Sequence, residues 1–340
     1  MIPELVIAAE LVFATGPYAP PLDHPVTADF VEFLDSAENV LTPVLFQGAT
    51  SEACRAFYRN LYDGSDLDVR IAFGYMDAPA DEGPIVVDGT DYGLNYALDG
   101  HARSAFTSWI QRPCEGSERL CGFRARPEDP DLYVKELGPE AENHREVRVR
   151  VTHASAAPFH VRNVEGGDQH DVQSQLTHVA EANFLGGLGQ ADAVFYVGHA
   201  RGGGGPDFAP PILRGDRHVN YDGYYRRVKP GVKKLLHFLA NAQKPAKVIS
   251  LLSCKATGLF VDRFRLEMIA SESMFVTAPN LTGYKAILLT TVVIFDSLLN
   301  GRCLTEIRSM LDRVETFATV GGRPQPLSEL IHFDGIAPIN

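Results

Sequence analysis

Two residues with complementary chemistry, a histidine and a cysteine, each follow a predicted buried strand in the second half of the chain. His199 ends the run Asp192-Ala-Val-Phe-Tyr-Val-Gly-His199, and Cys254 ends the run Lys247-Val-Ile-Ser-Leu-Leu-Ser-Cys254. An imidazole beside a thiol favours the thiolate at neutral pH and can return the proton to a leaving amine. Because the carboxyl ends of parallel strands meet at one edge of an α/β sheet, neighbouring strands would place the two side chains together. The pair predicts a nucleophile with its general base.

The elements around this pair are predicted to alternate between strands and helices. Strands are predicted at residues 146–152, 191–197, 247–252 and 273–278, and helices at 171–184, 230–242, 286–299 and 304–316. The continuous apolar runs at 191–197 and 247–252 are typical of parallel strands that are buried on both faces. The alternation predicts an α/β fold with a doubly wound, mostly parallel sheet.

The first part of the chain is less regular, and a stretch rich in Pro, Gly and Asp precedes residue 145. We therefore predict a mixed α/β N-terminal region of unknown role at residues 1–145 and a second domain at 146–340. Within the first region, helices are expected at 27–35, 52–62 and 101–110, and strands at 5–14, 69–75 and 84–87. These strands could join the same sheet.

Composition limits the classes of partner. The formal charge of −12 argues against nucleic acid as the main partner and is compatible with a protein or peptide substrate. No apolar stretch has the length of a membrane span. The first fifteen residues lack the basic segment of a secretory signal, so we expect either a cytoplasmic protein or a chain that begins after a removed signal. The oligomeric state is left open.

The five cysteines are Cys54, Cys114, Cys121, Cys254 and Cys303, an odd number that does not suggest a disulfide-dense framework. Cys114 and Cys121 flank a short polar loop and could close a small disulfide in an exported protein. Two thiols are an equally good interpretation of this pair.

A strand ending in His, a loop and helix, and then a strand ending in Ser-Cys resembles the caspase-like fold of cysteine peptidases. This superfamily contains caspases, legumains, gingipains, clostripain, separase and the bacterial CHAT proteases. The resemblance covers residues 146–300 and implies a His199/Cys254 dyad without an obligatory third member. It further implies peptide-bond cleavage through a thioester acyl-enzyme, with specificity set by the substrate residue P1, whose carbonyl is attacked.

The resemblance also implies an oxyanion hole made by the backbone N–H groups of Cys254 and of the residue after the histidine. The family usually has Gly at that position, whereas this chain has Ala200. The hole therefore depends on whether Ala adopts the required backbone angles. Two alternatives are a catalytically silent caspase-like interaction module and a Cys-dependent amidase or acyltransferase.

Loops beside the dyad should shape the substrate pocket. The candidates are Arg201, Asp207, Asp262, Pro279 and Tyr284, with Arg214, Asp216 and Asp222 as further charged residues. The sequence does not choose among them, although the net negative charge slightly favours Arg or Lys at P1. Residues 202–205, four glycines in a row, predict a flexible loop beside the site rather than a phosphate cradle.

No cofactor or metal is expected. His153, His160 and His170 do not have the spacing of a zinc site. The cluster of Asp63, Asp66 and Asp68 lacks the distal glutamate of an EF-hand, so a calcium site there is only a weak alternative to a solvated turn.

Overall fold

The computed structural model describes residues 19–41, 52–63, 66–76, 86–87, 90–91, 98–115, 119–137, 145–158, 160–216, 218–264, 273–279, 283–320 and 323–335. The predicted strand at 5–14 lies outside these ranges, and only residues 86–87 of the strand predicted at 84–87 are described as a strand.

One eight-stranded mixed sheet organises the described chain. Its strands are β1 (Leu67–Phe73), β4 (Arg124–Arg126), β5 (Asp129–Leu137), β6 (Arg145–His153), β7 (Ala193–Val197), β8 (Val248–Leu252), β9 (Met274–Thr277) and β12 (His332–Gly335). Their order across the sheet is β12-β9-β8-β7-β1-β6-β5-β4. The five strands from β9 to β6 are parallel, and the strands at both edges are antiparallel. Two small hairpins pair β2 (Val86–Val87) with β3 (Thr90–Asp91) and β10 (Glu315–Val320) with β11 (Arg323–Pro326).

Helices cover both faces of this sheet. They are α1 (Pro25–Ser36), α2 (Glu38–Leu41), α3 (Glu52–Leu61), α4 (Leu98–Gln111), α5 (His160–Asn163), α6 (His170–Gly187), α7 (Arg226–Val228), α8 (Pro230–Asn241), α9 (Tyr284–Asn300) and α10 (Leu304–Asp312). One hydrophobic cluster contains side chains of α1, α3, α4, α9 and α10, and a second contains side chains of α6 and α8. The α/β prediction is therefore confirmed, with a mostly parallel sheet between two helical layers.

The central strands are buried because both faces are covered. All five residues of β7 and all five of β8 are buried. Along β7, Ala193, Phe195 and Val197 belong to the cluster on the α9 side, whereas Val194 and Tyr196 belong to the other cluster. This alternation is the period-two pattern of a strand. It shows which face each residue near the strand end points to.

Residues from both sides of position 145 build this sheet. β1, from the predicted N-terminal region, lies between β6 and β7 at the middle of the sheet. Helices α1, α3 and α4 share one hydrophobic cluster with α9 and α10. The boundary predicted at 145/146 therefore does not divide the described residues into two cores. The predicted helix at 304–316 was too long, because α10 ends at Asp312 and β10 begins at Glu315.

Two disulfides connect distant and local parts of the chain. Cys54 on α3 is bonded to Cys303, which precedes α10, across a sequence separation of 249 residues. Cys114 is bonded to Cys121 across the short loop after α4. Within the described ranges no helix combines the length and apolar character that a bilayer crossing requires.

Candidate functional site

His199 and Cys254 follow two strands that are direct neighbours. β7 and β8 pair in parallel, and the last residues of the two strands, Val197 and Leu252, are register partners. His199 and Cys254 each lie two residues beyond this pair. The N–H of Gly198 donates to the carbonyl of Leu252 at 3.2 Å, which continues the alignment past the strands. The two side chains therefore start from equivalent positions on the same edge of the sheet.

Cys254 retains its thiol. All five cysteines lie in the described ranges, and the other four form the two disulfides. Cys254 is half-buried, follows the fully buried Ser253, and precedes Lys255, which has a left-handed backbone with φ of 57°. The sharp turn at Ser253 and Lys255 leaves Cys254 partly exposed at the end of a buried strand. Such a position suits a nucleophile.

The imidazole of His199 is held by a tyrosine hydroxyl. Tyr284, the first residue of α9, places its Oη 3.0 Å from Nε2 of His199, and the two rings meet edge to face at 5.7 Å. α9 packs on the same side of the sheet as Val197, so the alternation along β7 directs His199 toward this helix. This hydrogen bond holds the imidazole in one orientation through its Nε2.

A second tyrosine holds the backbone of the histidine. The hydroxyl of Tyr196 donates to the carbonyl of His199 at 2.8 Å and accepts from the N–H of Asp207 at 3.0 Å. Tyr196 is fully buried, and burial raises its pKa. No sequence signal predicts this role, because a tyrosine in a buried strand is ordinarily a core residue.

Ala200 adopts a backbone conformation that any L-residue accepts. Its φ and ψ are −73° and −12°, in the right-handed helical region. Its carbonyl accepts from the N–H groups of Gly203 and Gly205 at 2.9 and 3.0 Å. The absence of Gly directly after His199 therefore introduces no strain at that position.

The left-handed conformation occurs one residue later, at Arg201, with φ of 48°. The side chain of Arg201 is 1% exposed, and its Nε lies 3.1 Å from Oδ2 of Asp207. Its guanidinium also donates to the carbonyl of Tyr75 at 3.3 Å. Burial raises the pKa of Asp207, whereas the guanidinium opposes the shift. Two predicted pocket residues therefore neutralise each other inside the protein and support the loop after His199.

The four glycines form a turn that is buried at three of its positions. Gly203 has φ of 91°, a value that favours glycine, and a Cβ on Gly205 would lie 2.8 Å from the carbonyl oxygen of His199. Gly203, Gly204 and Gly205 are all buried. Close packing explains these glycines, in place of the flexible loop that the sequence predicted.

The remaining predicted pocket residues are dispersed. Asp262 is exposed after the short helical segment Thr257–Val261, and Pro279 is half-buried after β9. Arg214 and Asp216 form an exposed ion pair at 2.8 Å, and Asp222 pairs with Arg226. Among the predicted pocket residues, Tyr284 has a hydrogen bond to the dyad. These positions do not select a substrate side chain.

A buried carboxylate ties the neighbouring strand ends together. Asp99, near the start of α4, accepts from the N–H of Met76 at 3.3 Å and from the N–H groups of Ala154 and Ser155 at 2.9 and 2.8 Å. The Ser155 hydroxyl donates to it at 2.6 Å. Burial raises the pKa of Asp99 to about 6, although these hydrogen bonds oppose the shift. The segments after β1 and β6 are fixed beside the dyad's strand in this way.

The histidines considered as ligands lie at the ends of elements, and two of the aspartates form ion pairs. His153 ends β6, His160 begins α5 and His170 begins α6. Asp66 pairs with Arg148 at 2.8 Å, and Asp68 pairs with Arg70 at 3.3 Å. Over the described part of the chain, no group of three or more His, Cys, Asp or Glu side chains is placed to hold a metal ion.

Comparison with protein-family models, with curated proteins and with solved structures finds no match to this chain. The arrangement of His199, Cys254 and Tyr284 must therefore be interpreted from its own geometry.

Proposed function

We propose that this chain is a cysteine endopeptidase of caspase-like type in which Cys254 is the nucleophile and His199 the general base. The observation that carries the proposal is the register of the two residues, two positions beyond paired ends of adjacent parallel strands. Two further facts support it: Cys254 retains a half-buried thiol, and the His199 ring is held by Tyr284. A core cysteine or a structural histidine would not require this combination.

In the proposed reaction, Nδ1 of His199 takes the proton of Cys254, and the thiolate attacks the carbonyl carbon of the scissile peptide bond. The C–N bond breaks as the imidazolium gives its proton to the leaving amine, and a thioester remains. Water, deprotonated by the same imidazole, attacks the thioester carbon. The carboxylic acid then leaves and Cys254 regains its proton. These reaction steps require no cofactor.

The negative oxygen of each tetrahedral intermediate needs hydrogen-bond donors. We assign the backbone N–H groups of Ala200 and Cys254 to this role. The right-handed backbone of Ala200 supports the assignment, because the residue occupies its conformation without the penalty that a positive φ would impose. Removing one such donor typically costs about 2.7–4 kcal/mol of transition-state stabilisation.

The substrate in this proposal is a protein or peptide, and an oxidising compartment suits the enzyme. Two disulfides favour the exported alternative over the cytoplasmic one, since structural disulfides persist mainly outside the cytosol. Arg201 and Asp207 do not serve as specificity residues in this proposal, because they form an ion pair with each other inside the protein.

The test is covalent labelling with acyloxymethyl ketone peptides that carry Arg, Lys, Asp or Leu at P1. We expect one of these probes to label Cys254 and the label to disappear in Cys254→Ala. The variant His199→Ala should lose at least about 100-fold in labelling rate, the contribution typical of a general base. Peptide mass spectrometry would locate the adduct.

The matched control for Cys254→Ala is Ser253→Ala. This control changes the adjacent buried residue but keeps the thiol. Ser253→Ala should retain labelling. If no probe reacts at Cys254, even after limited proteolysis, the peptidase proposal is wrong and the silent interaction module becomes the better interpretation. Labelling that survives in His199→Ala at the original rate would contradict the assignment of the base.

A further inference from the structure

The disulfide between Cys114 and Cys121 lies at the surface beside a cavity. Cys114 is exposed and lines a cavity of about 510 Å³, together with Gly122 and Lys135. Cys121 is fully buried. An incoming thiol can therefore approach the sulfur of Cys114 and not that of Cys121. The Cys54–Cys303 disulfide differs, because both of its residues are buried.

One lysine contacts both sulfurs of the exposed disulfide. Lys135, on β5, places its Nζ 3.3 Å from Sγ of Cys114 and 3.8 Å from Sγ of Cys121. The same ammonium donates to the carbonyl of Arg119 at 2.7 Å, which holds it over the sulfur pair. A cation at this distance stabilises a thiolate on either sulfur, and a stabilised leaving thiolate accelerates thiol–disulfide exchange.

We propose that Cys114–Cys121 is a thiol–disulfide exchange site whose reaction partner is a dithiol reductant, and that Lys135 activates it. The first thiolate of the dithiol attacks Sγ of Cys114, the S–S bond breaks, and Cys121 leaves as a thiolate beside Lys135. The second thiol of the reductant, as its thiolate, attacks the mixed disulfide at the reductant's own sulfur. Cys114 then leaves as a thiolate beside the same ammonium. The reductant is oxidised by two electrons to its cyclic or protein disulfide, and the two cysteines take up protons from water.

This site is independent of the proposed peptidase chemistry. Its reduction releases the covalent constraint on the loop that contains Arg119. That arginine donates from its guanidinium to the carbonyl of Leu299, near the end of α9, at 2.8 Å. The disulfide therefore helps to hold one contact to the helix whose first residue, Tyr284, binds His199.

The experiment follows reduction of the native chain by dithiothreitol at each cysteine pair. Cys254 is first blocked with light N-ethylmaleimide, aliquots are quenched with the heavy reagent, and peptide mass spectrometry gives a rate for each pair. We expect Cys114 and Cys121 to become labelled at least tenfold faster than Cys54 and Cys303. Equal rates for the two disulfides would overturn the proposal.

The role of the ammonium is tested with Lys135→Met. We expect reduction at Cys114–Cys121 to slow about threefold to tenfold, the range for a leaving thiol whose pKa rises by one to two units. Lys135→Arg should stay near the original rate. Arg124→Met is the matched control, because it removes another cation that lines the cavity and should change the rate less than twofold. An unchanged rate of reduction at Cys54–Cys303 shows that each variant is folded. Equal slowing of reduction in Arg124→Met and Lys135→Met would refute activation by direct contact with the Lys135 ammonium.

Discussion

The hydrogen bond between Tyr284 and His199 makes a quantitative prediction for the proposed dyad. The variant Tyr284→Phe removes the hydroxyl that lies 3.0 Å from Nε2 and keeps the ring that packs edge-on against the imidazole. When Nδ1 serves as the base, Nε2 carries a proton and donates to the tyrosine oxygen. This bond strengthens when the ring becomes an imidazolium, because a charged donor forms the stronger hydrogen bond. The tyrosine thus favours the thiolate–imidazolium form of the dyad.

The size of the effect follows from the partial burial of both groups. A hydrogen bond of this kind has a net value of about 1 kcal/mol, which corresponds to about fivefold in rate. We therefore expect Tyr284→Phe to lower the second-order rate of labelling by the best ketone probe about fivefold. The basic limb of the pH–rate profile should move to lower pH, because the imidazolium loses an acceptor.

The assay compares this variant with Tyr224→Phe, another half-buried tyrosine in the neighbouring segment Tyr221–Tyr225. Its ring packs edge-on against Tyr225, and the variant should label at the original rate. A purely structural role for Tyr284 would reduce the fraction of active protein without moving the pH profile. An unmoved basic limb together with an unchanged rate would refute the assignment of Tyr284 as a positioning residue.

Three further predictions concern stability. Burial raises the folded-state pKa of Asp99 to about 6 from 3.8, so its contribution to the free energy of unfolding is present below pH 4 and is lost as pH rises through 6. Urea unfolding should therefore show a decrease of about 3 kcal/mol in the free energy of unfolding between these limits, and Asp99→Asn should not show it. Arg201→Met should lower the free energy of unfolding by about 3 kcal/mol, because it leaves Asp207 as an uncompensated buried charge, and adding Asp207→Asn should recover part of that loss. A double variant with alanine at Cys54 and Cys303 should lose about 5 kcal/mol of the free energy of unfolding in the same assay, which is the chain-entropy value for a loop of about 250 residues. A loss below about 1 kcal/mol would contradict an origin in chain entropy.

The location of the proposed dyad could be predicted because its signal is local. A run of apolar residues that ends in a reactive side chain contains both the strand and its polar end. The continuous apolar runs of β7 and β8 reflect coverage on both faces, which the structure confirms. The alternation of these runs with helical segments then indicated a parallel arrangement.

The central position of β1 could not be predicted in the same way. Its partners β6 and β7 come later in the chain, and β4 and β5 intervene between β1 and β6. Strand order depends on which surfaces the helices cover after folding, and no local pattern around residues 67–73 records it. The pairing of Cys54 with Cys303 could not be predicted for the same reason, because the shared core of the folded protein brings helices α3 and α10 together.

Charged residues near the dyad illustrate a different limit. Arg201 and Asp207 are six positions apart, and a loop beside a reactive histidine suggested that they face a substrate. Burial decides their role, because an arginine whose side chain is 1% exposed is always charged and therefore needs a partner that offsets the cost of burying that charge. The sequence shows that opposite charges are close but not whether water or the protein interior surrounds them.

The turn after His199 explains how the chain accommodates Ala200 at the position where the proposed caspase-like family usually has glycine. The chain reverses at Arg201 rather than at Ala200, so the positive φ and its cost of about 1–2 kcal/mol fall on the arginine. The ion pair to Asp207 and the hydrogen bond to the Tyr75 carbonyl hold that residue in place and offset the strain. Ala200 consequently keeps an ordinary helical backbone. The positive φ of this turn is therefore carried by Arg201, whose side chain is anchored in the core by its ion pair.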